Sequence, residues 1–145
     1  MKRKEGALQQ YACVPSEYLV PRPPNISAVE ASGLSLAGET AWQGLLEFGK
    51  LEAGQSVFIN GGSSSVGAYA IQIAKAKRAS RVVATASGKN EEFVRNLGAD
   101  VFIDYTKQPP HEYLLQNPTS TKFDVIFDAG AFLCARCCVA LMIVI

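Results

Sequence analysis

Residues Ser56–Ala79 read SVFINGGSSSVGAYAIQIAKAKRA. The stretch opens with a run of β-forming residues, Val57–Ile59, and continues through a Gly/Ser-rich turn. Apolar side chains then recur at helical spacing, at Val66, Tyr69, Ala70, Ile73 and Ala74. A strand, a glycine-rich turn and a helix in this order are the context that a dinucleotide-binding turn requires. The same order also occurs in parallel sheets that bind nothing, so the rest of the chain has to decide between the two.

Aligning the turn on the pattern G-x-G-x-x-G places Gly62, Ser64 and Gly67 at its three fixed positions. We expect Gly62 to make the tight turn off the strand and Gly67 to let the helix pack closely on the sheet. Ser64 replaces the usual middle glycine, where its side chain either crowds a pyrophosphate or donates a hydrogen bond to it. Free amides and the positive end of the helix dipole favour an anion at such a turn. The predicted cofactor-binding residues of the turn are Gly62, Ser63, Ser64, Ser65, Val66 and Gly67.

Composition places the chain among ordinary globular proteins. Its 145 residues are 48% hydrophobic and 19% charged, which suits one domain with a real core. A net charge of +1 gives no reason to expect nucleic acid or a membrane surface as partner. The cysteines have neither disulfide-framework nor zinc-site spacing, so we expect no metal; they are Cys13, Cys134, Cys137 and Cys138. With no signal peptide visible, the interpretation is a reducing, cytoplasmic setting.

Strands and helices alternate along the middle of the chain. This alternation predicts an α/β fold, a doubly wound parallel sheet of the Rossmann type with strand order 3-2-1-4. The sheet is expected to be incomplete, with the outer edge of the fourth strand unpaired. The four predicted strands are Val57–Ile59, Arg81–Thr85, Val101–Asp104 and Phe123–Asp128. Predicted helices begin at the capping box Ser27–Glu30 and continue at Leu36–Glu47, Asn90–Leu97 and His111–Gln116.

Three segments differ in character. Residues 1–26 carry short β-prone runs broken by prolines, and we interpret them as the last strand of a preceding structure and the linker that leads out of it. Residues 27–130 form the predicted nucleotide-binding domain. Residues 131–145 are an atypical apolar tail, shorter than the roughly 20 residues of a membrane-spanning helix. The change of character near Gly130 favours a truncated, mis-spliced or frame-shifted product.

Charge indicates which nicotinamide cofactor the turn would take. In the NAD pattern an acidic residue about 20 positions past the last glycine binds the ribose 2′-hydroxyl. Counting from Gly67 reaches Ser87 and Lys89 at the end of the second strand, with no carboxylate between them. Ser87 can donate a hydrogen bond and Lys89 supplies a positive charge, so the sequence predicts NADP(H). The alternative is that Lys89 is simply a solvated residue before a helix.

Four stretches together resemble the quinone oxidoreductase (zeta-crystallin-like) branch of the medium-chain dehydrogenase/reductase superfamily. They are YACVPSEYLVPRPPNIS, SLAGETAWQGLLEFGKLEAGQSVFINGGSSSVGAYAIQIAKA, VVATASGKNEEFVRNLGADVFIDY and KFDVIFDA. The resemblance covers about Gly6 to Ala129. It implies the cofactor domain of a larger enzyme that passes hydride from NADPH to a quinone, enone or carbonyl substrate without zinc. It also implies a separate, β-rich catalytic domain, of which residues 1–26 would be an extended remnant and linker. It also implies a small-molecule substrate and a homo-oligomer in a full-length form.

The resemblance adds two candidate cofactor contacts. Thr40 matches the family position near the nicotinamide, and Tyr105 matches a family tyrosine near the adenosine phosphate. Each also has an ordinary interpretation, as a helix-surface threonine and as a rim tyrosine at a strand end. The sequence departs from the family at Ser64, and it lacks nearly all of the catalytic domain. No catalytic residue is therefore assigned.

Two hypotheses of different classes follow. The first is an NADP(H)-binding domain of an oxidoreductase, which alone would bind NADPH weakly and turn over little or nothing. The second is a non-catalytic remnant that acts, if at all, as an interaction module through the unpaired edge of the fourth strand. A short-chain-type reductase is disfavoured because no Y-x-x-x-K pair follows the third strand. His111 is expected to be a solvated loop residue and Trp42 a core residue.

Overall fold

The computed structural model describes residues 10–116, 122–130 and 142–143. The strands are β1 (Ser56–Asn60), β2 (Arg81–Ala86), β3 (Val101–Asp104), β4 (Val125–Asp128) and β5 (Met142–Ile143). The helices are α1 (Ala28–Ala31), α2 (Glu39–Trp42), α3 (Ser65–Ala76), α4 (Glu91–Asn96) and α5 (Pro110–Gln116).

The strands form one sheet in the order β3-β2-β1-β4-β5. The first four run parallel, which confirms the predicted doubly wound α/β fold and the strand order 3-2-1-4. The register pairs Ile59 with Ala84 and with Phe127, and it pairs Ala86 with Asp104. The carboxyl ends of these four strands therefore meet at one edge of the sheet, where ligands of this fold class bind.

The outer edge of β4, predicted to be unpaired, is covered. β5 pairs antiparallel with it, with Ile126 opposite Ile143 and Phe127 opposite Met142. The prediction was wrong because it assumed that only a further βα unit could cover this edge, whereas two extended residues suffice to pair part of a short strand. Residues 131–141 and 144–145 of the apolar tail lie outside the described residues, as do Cys134, Cys137 and Cys138.

Side chains of the sheet alternate between two cores. One face buries Ile59, Val82 and Phe127 together with helical residues such as Leu45 and Val94. The opposite face buries a second cluster, Phe58, Val83, Ile103 and Phe123, under Tyr113 and Leu114 of α5. Because both faces are covered, the strands read as continuous apolar runs rather than as alternating patterns.

Three of the predicted helices are confirmed with small shifts at their ends. Ser27 and Glu30 form the predicted capping box of α1, with the Ser27 amide 2.8 Å from Glu30 Oε2 and the Glu30 amide 3.2 Å from Ser27 Oγ. Helix α4 ends before Gly98, whose φ of +112° lets the chain leave the helix. Helix α5 begins one residue earlier than predicted, at Pro110.

The predicted helix over Leu36–Glu47 is not regular. Helix α2 lies between two π-helical turns, Leu34–Gly38 and Gln43–Phe48. Each has a hydrogen bond five residues apart, 3.3 Å from Gly38 N to Gly33 O and 2.9 Å from Gly49 N to Gly44 O. These turns change which side chains face the sheet. Trp42, expected in the core, is instead 49% exposed, with Lys77 Nζ 5.5 Å from its ring centre.

The segment before α1 forms no strand within residues 10–27, although its runs are β-prone. Its one regular element is a 3-10 turn, Ser16–Tyr18. Tyr11 and Val20 are 89% and 87% exposed, so these runs have no sheet to join in the described chain. Whether residues 1–26 form a separate linker stays a prediction, and residues 1–9 lie outside the described residues.

Candidate cofactor-binding site

The turn after β1 reverses at Gly61 rather than at Gly62. Gly61 has a φ of +78°, a conformation that residues with a Cβ rarely adopt, so it makes the tight turn that we expected of its neighbour. Position 62 requires glycine for a different reason, because no space is left there for a side chain. A Cβ there would lie 3.0 Å from Ala84 Cβ and 3.1 Å from Ile71 Cδ1, which means that this residue packs directly over β2 and α3.

Gly67 brings the first turn of α3 against the backbone that leaves β1. A Cβ at this position would collide with Gly61 O and would lie 2.9 Å from Gly62 Cα. The close approach that the sequence predicted is therefore real, but it is made to the turn itself rather than to the strands. The path of the Gly61 backbone therefore requires a residue without a Cβ at position 67.

Ser64 is the N-cap of α3. Its Oγ accepts a hydrogen bond from the Gly67 amide at 3.0 Å and lies 2.8 Å from Gly61 O and 3.3 Å from Ala129 O. The hydroxyl proton is therefore directed inward, to backbone carbonyls. Of the two expectations, crowding a pyrophosphate or donating to it, the structure favours neither, because the side chain caps the helix.

Three amides of the turn are free to bind an anion. Within the described part of the chain, the amides of Ser63, Ser65 and Val66 donate to no acceptor, whereas the remaining amides of residues 61–67 have partners. The first N–H groups of any helix lack intrahelical acceptors, and the helix dipole adds positive potential there. Small residues, a twelve-residue helix and free N–H groups together fit a pyrophosphate.

Ser87, Lys89 and Tyr105 lie at the same edge as the turn. Ser87 begins the 3-10 turn Gly88–Asn90, and its Oγ lies 3.1 Å from Asn90 Nδ2. Lys89 is exposed, and no carboxylate of the described residues lies within ion-pair distance of it. Tyr105 is 43% exposed, and its amide bonds to Ala86 O at 3.2 Å. The structure thus gathers three predicted residues from the ends of two neighbouring strands.

A carboxylate that the sequence did not assign to the site also reaches this edge. Asp104, the last residue of β3, pairs in register with Ala86. Its Oδ1 accepts hydrogen bonds from the Thr106 hydroxyl at 2.6 Å and the Thr106 amide at 3.0 Å, and its Oδ2 lies 3.8 Å from Lys107 Nζ. The hydroxyl bond is the main cause of a lowered Asp104 pKa, which partial burial opposes and the Thr106 amide, the Lys107 charge and the Gly88 amide support. Counting along β2 alone could not find this group; the cross-strand register could.

Thr40 is not joined to the edge residues by any hydrogen bond that the described chain contains. Its hydroxyl donates to Leu36 O at 2.7 Å, one turn back in its own helical segment. That segment packs on α3, where a Cβ on Gly38 would lie 3.8 Å from Tyr69 Cδ1.

His111 lies in the first turn of α5 and is exposed, as expected of a solvated residue.

The described residues contain neither a candidate metal site nor a candidate membrane span. No group of three or more His, Cys, Asp or Glu side chains in that part of the chain is placed to hold a metal ion, and Cys13 is an exposed free thiol. No helix within it has the length and apolar character needed to cross a bilayer.

Known proteins are similar to this chain in sequence and in fold. A family model described as zinc-binding dehydrogenase matches residues 65–139. The NADPH-dependent alkenal/one oxidoreductase of Arabidopsis thaliana chloroplasts is 42% identical over 125 residues, 86% of this chain and 31% of that relative. The trans-enoyl reductase poxH of Penicillium oxalicum is 46% identical over 74% of this chain and 28% of its own length. The solved quinone oxidoreductase of Coxiella burnetii superposes with a TM-score of 0.66 at 35% identity, over 75% of this chain and 32% of that one.

The fold and the turn define a Rossmann-like α/β domain. The chain belongs to the zinc-binding dehydrogenase family, in the quinone oxidoreductase branch of the medium-chain dehydrogenase/reductase superfamily. It spans about a third of the length of the relatives that it matches.

Proposed function

We propose that residues 27–130 form the NADP(H)-binding domain of a zinc-independent oxidoreductase that passes hydride to a quinone, enone or carbonyl substrate. The observation that carries the proposal is the placement of three free amides at the start of α3 on the same sheet edge as Lys89. The relatives named as NADPH-dependent alkenal/one oxidoreductase and quinone oxidoreductase support the cofactor and the substrate class.

The pyrophosphate would be held by backbone rather than by side chains. The amides of Ser63, Ser65 and Val66 supply donors, and the close packing that Gly62 and Gly67 permit keeps the turn against β2 and α3. Ser64 contributes indirectly, because its capping bond to Gly67 keeps the first turn of α3 in place.

The adenosine end would lie over the ends of β2 and β3. Lys89 supplies the positive charge for a 2′-phosphate, Ser87 supplies a hydroxyl and Tyr105 forms the rim. Asp104 is held by Thr106 and lies 3.8 Å from Lys107 Nζ, so part of its negative charge is offset. Lys89, which makes no ion pair with the described residues, favours the phosphorylated cofactor. Thr40 is assigned to the nicotinamide side on the family resemblance.

When bound, the nicotinamide supplies the hydride, and this chain supplies orientation and electrostatics. Groups that contact the substrate or protonate the product belong to the two thirds of the relatives' length that this chain does not match. Alone, the chain is expected to bind NADPH weakly and to oxidise it slowly or not at all with a quinone present. Cytoplasmic localisation and a homo-oligomeric full-length form remain part of the proposal.

The test is a titration of the purified chain with NADPH and with NADH, followed by ligand fluorescence. Lys89→Ala should weaken NADPH about fivefold, the effect of losing one exposed charge contact, and leave NADH unchanged. Lys122→Ala is the matched control, because Lys122 is an exposed cation just before β4, at the opposite end of the sheet.

Three outcomes are informative. A loss confined to NADPH in the Lys89 variant supports the proposal. Equal losses for NADPH and NADH would contradict the role of Lys89 in cofactor choice. No binding of either cofactor up to millimolar concentration would overturn the proposed function and favour the non-catalytic remnant.

A further inference from the structure

A buried chain of hydrogen bonds joins the ends of β1, β2 and β4 beneath the glycine-rich turn. Thr85 Oγ1 lies 2.6 Å from Asn60 Oδ1, and Asn60 Nδ2 lies 2.9 Å from Asp128 Oδ1. Thr85 is fully buried and is the only buried polar residue among the described residues. Asn60 and Asp128 are half-buried. We call these three side chains the switch-point triad, after the reversal of strand order between β1 and β4.

The direction of each bond in the triad is determined by chemistry. A carboxylate can only accept, so Asp128 takes the Asn60 Nδ2 proton and, at 2.9 Å, the Gly130 amide proton. The Asn60 carbonyl oxygen must then face Thr85, whose hydroxyl donates to it. The remaining lone pairs of that hydroxyl accept the Gly61 amide at 3.0 Å.

Thr85 therefore binds two consecutive amides of the turn. Its side chain accepts from Gly61, and its backbone carbonyl accepts from Gly62 at 2.7 Å. Gly61 is the residue with positive φ, and its carbonyl in turn accepts from the amide and hydroxyl of Ser64. The orientation of the free amides at the start of α3 thus depends on Thr85 through two hydrogen-bonded steps.

We propose that Thr85 is a positioning residue, which with Asn60 and Asp128 sets the shape of the pyrophosphate-binding turn and hence the affinity for any dinucleotide. This inference rests on the proposed function and deepens it, because it separates two parts of the site. Lys89 governs the choice between NADPH and NADH. Thr85 governs the affinity for both, since each carries the same pyrophosphate.

The experiment compares Thr85→Val with Thr85→Ser in the full chain. Valine keeps the shape but leaves the Gly61 amide and the Asn60 carbonyl without partners, so NADPH and NADH should each weaken about tenfold with their ratio unchanged. Serine keeps the hydroxyl and should restore both affinities to near the wild-type value. Ser56→Ala is the matched control, because the Ser56 hydroxyl bonds Asp124 at 2.8 Å at the opposite end of the same strands.

A second variant and a second measurement keep the inference testable if valine at position 85 prevents folding. Asp128→Asn removes the acceptor-only partner and lets the Asn60 amide flip, so both cofactors should weaken by the same factor, smaller than for the valine variant. Amide hydrogen exchange at Gly61, measured without cofactor, should be faster in Thr85→Val and Asp128→Asn than in wild type.

Several results would overturn the inference. One is a Thr85→Val chain that is less stable yet binds both cofactors as wild type does, since that is a purely structural role. Another is unchanged Gly61 exchange in both variants. If wild type binds neither cofactor, the proposed function fails on that result alone; faster Gly61 exchange in the variants would then still support control of the turn by the triad.

Discussion

A Cβ at position 67 would occupy the space that Gly61 O holds, and this one steric fact determines how α3 leaves the turn. Gly67→Ala should lower the free energy of unfolding by about 1–3 kcal/mol, the usual effect of forcing extra volume into a packed site. Urea denaturation followed by circular dichroism measures it.

Ser65→Ala is the control for that substitution, because Ser65 is exposed in the same turn and its loss should change stability by less than about 0.5 kcal/mol. Equal stabilities for the two variants would mean that the turn can open without penalty. The close contact between residues 61 and 67 would then not define the site.

At the scale of elements, most of the fold could be predicted because local signals and tertiary packing agree. Strand β3 has the predicted bounds Val101–Asp104, and β1, β2 and β4 differ from prediction by one or two residues at their ends. Buried parallel strands read as apolar runs, and glycines and caps mark where helices end.

Other elements depend on contacts that no local pattern encodes. The π-helical turn Gln43–Phe48 includes Gly44, where a Cβ would lie 3.1 Å from Phe127 Cδ2, so its shape depends on a strand far along the chain. The same is true of β5, and of Asp104, which reaches the candidate site only through its register with β2. In the candidate site, the sequence predicted that the turn and Lys89 lie at the carboxyl edge of the sheet. It did not single out Thr85, because a threonine inside an apolar run has the pattern of an ordinary strand residue.

Two aspartates hold the amino ends of strands at the edge opposite the candidate site. Asp100 Oδ2 accepts the Val82 amide at 2.7 Å while its Oδ1 binds Lys75 at 2.9 Å; Asp124 Oδ2 accepts the Ser56 amide at 2.7 Å. Burial raises the pKa of Asp100, but the Lys75 and Val82 hydrogen bonds and the nearby positive charges outweigh it and lower the pKa overall. The Ser56 amide and hydroxyl lower the pKa of Asp124.

Because the pKa values of these two aspartates are lowered in the folded state, acid pH destabilises the fold. Each aspartate contributes stability above its unfolded pKa of about 4, and the contribution is lost as pH falls through the lower folded value. The free energy of unfolding should therefore decrease below about pH 4, and Asp124→Asn should make that decrease shallower while lowering stability at pH 7. Urea titrations from pH 7 to pH 3 measure both slopes. An unchanged slope in the variant would mean that Asp124 is not one of the groups responsible.

At the scale of the whole molecule, binding and folding are linked, so the candidate site can be tested without any reaction. A ligand that binds only the folded chain stabilises it by about 2.7 kcal/mol at a hundredfold excess over its dissociation constant, which shifts the melting temperature of a domain this size by roughly 5–10 °C. NADPH should raise the melting temperature more than NADH at equal concentration, because only NADPH places a 2′-phosphate near Lys89. In Lys89→Ala the two shifts should become equal, and in Thr85→Val both should shrink together. Equal shifts in wild type would contradict the assignment of the β2 edge to the 2′-phosphate while leaving the turn as a pyrophosphate site. Melts of wild type and the two variants with each cofactor therefore separate the two ends of the dinucleotide on a chain that spans about a third of its relatives' length.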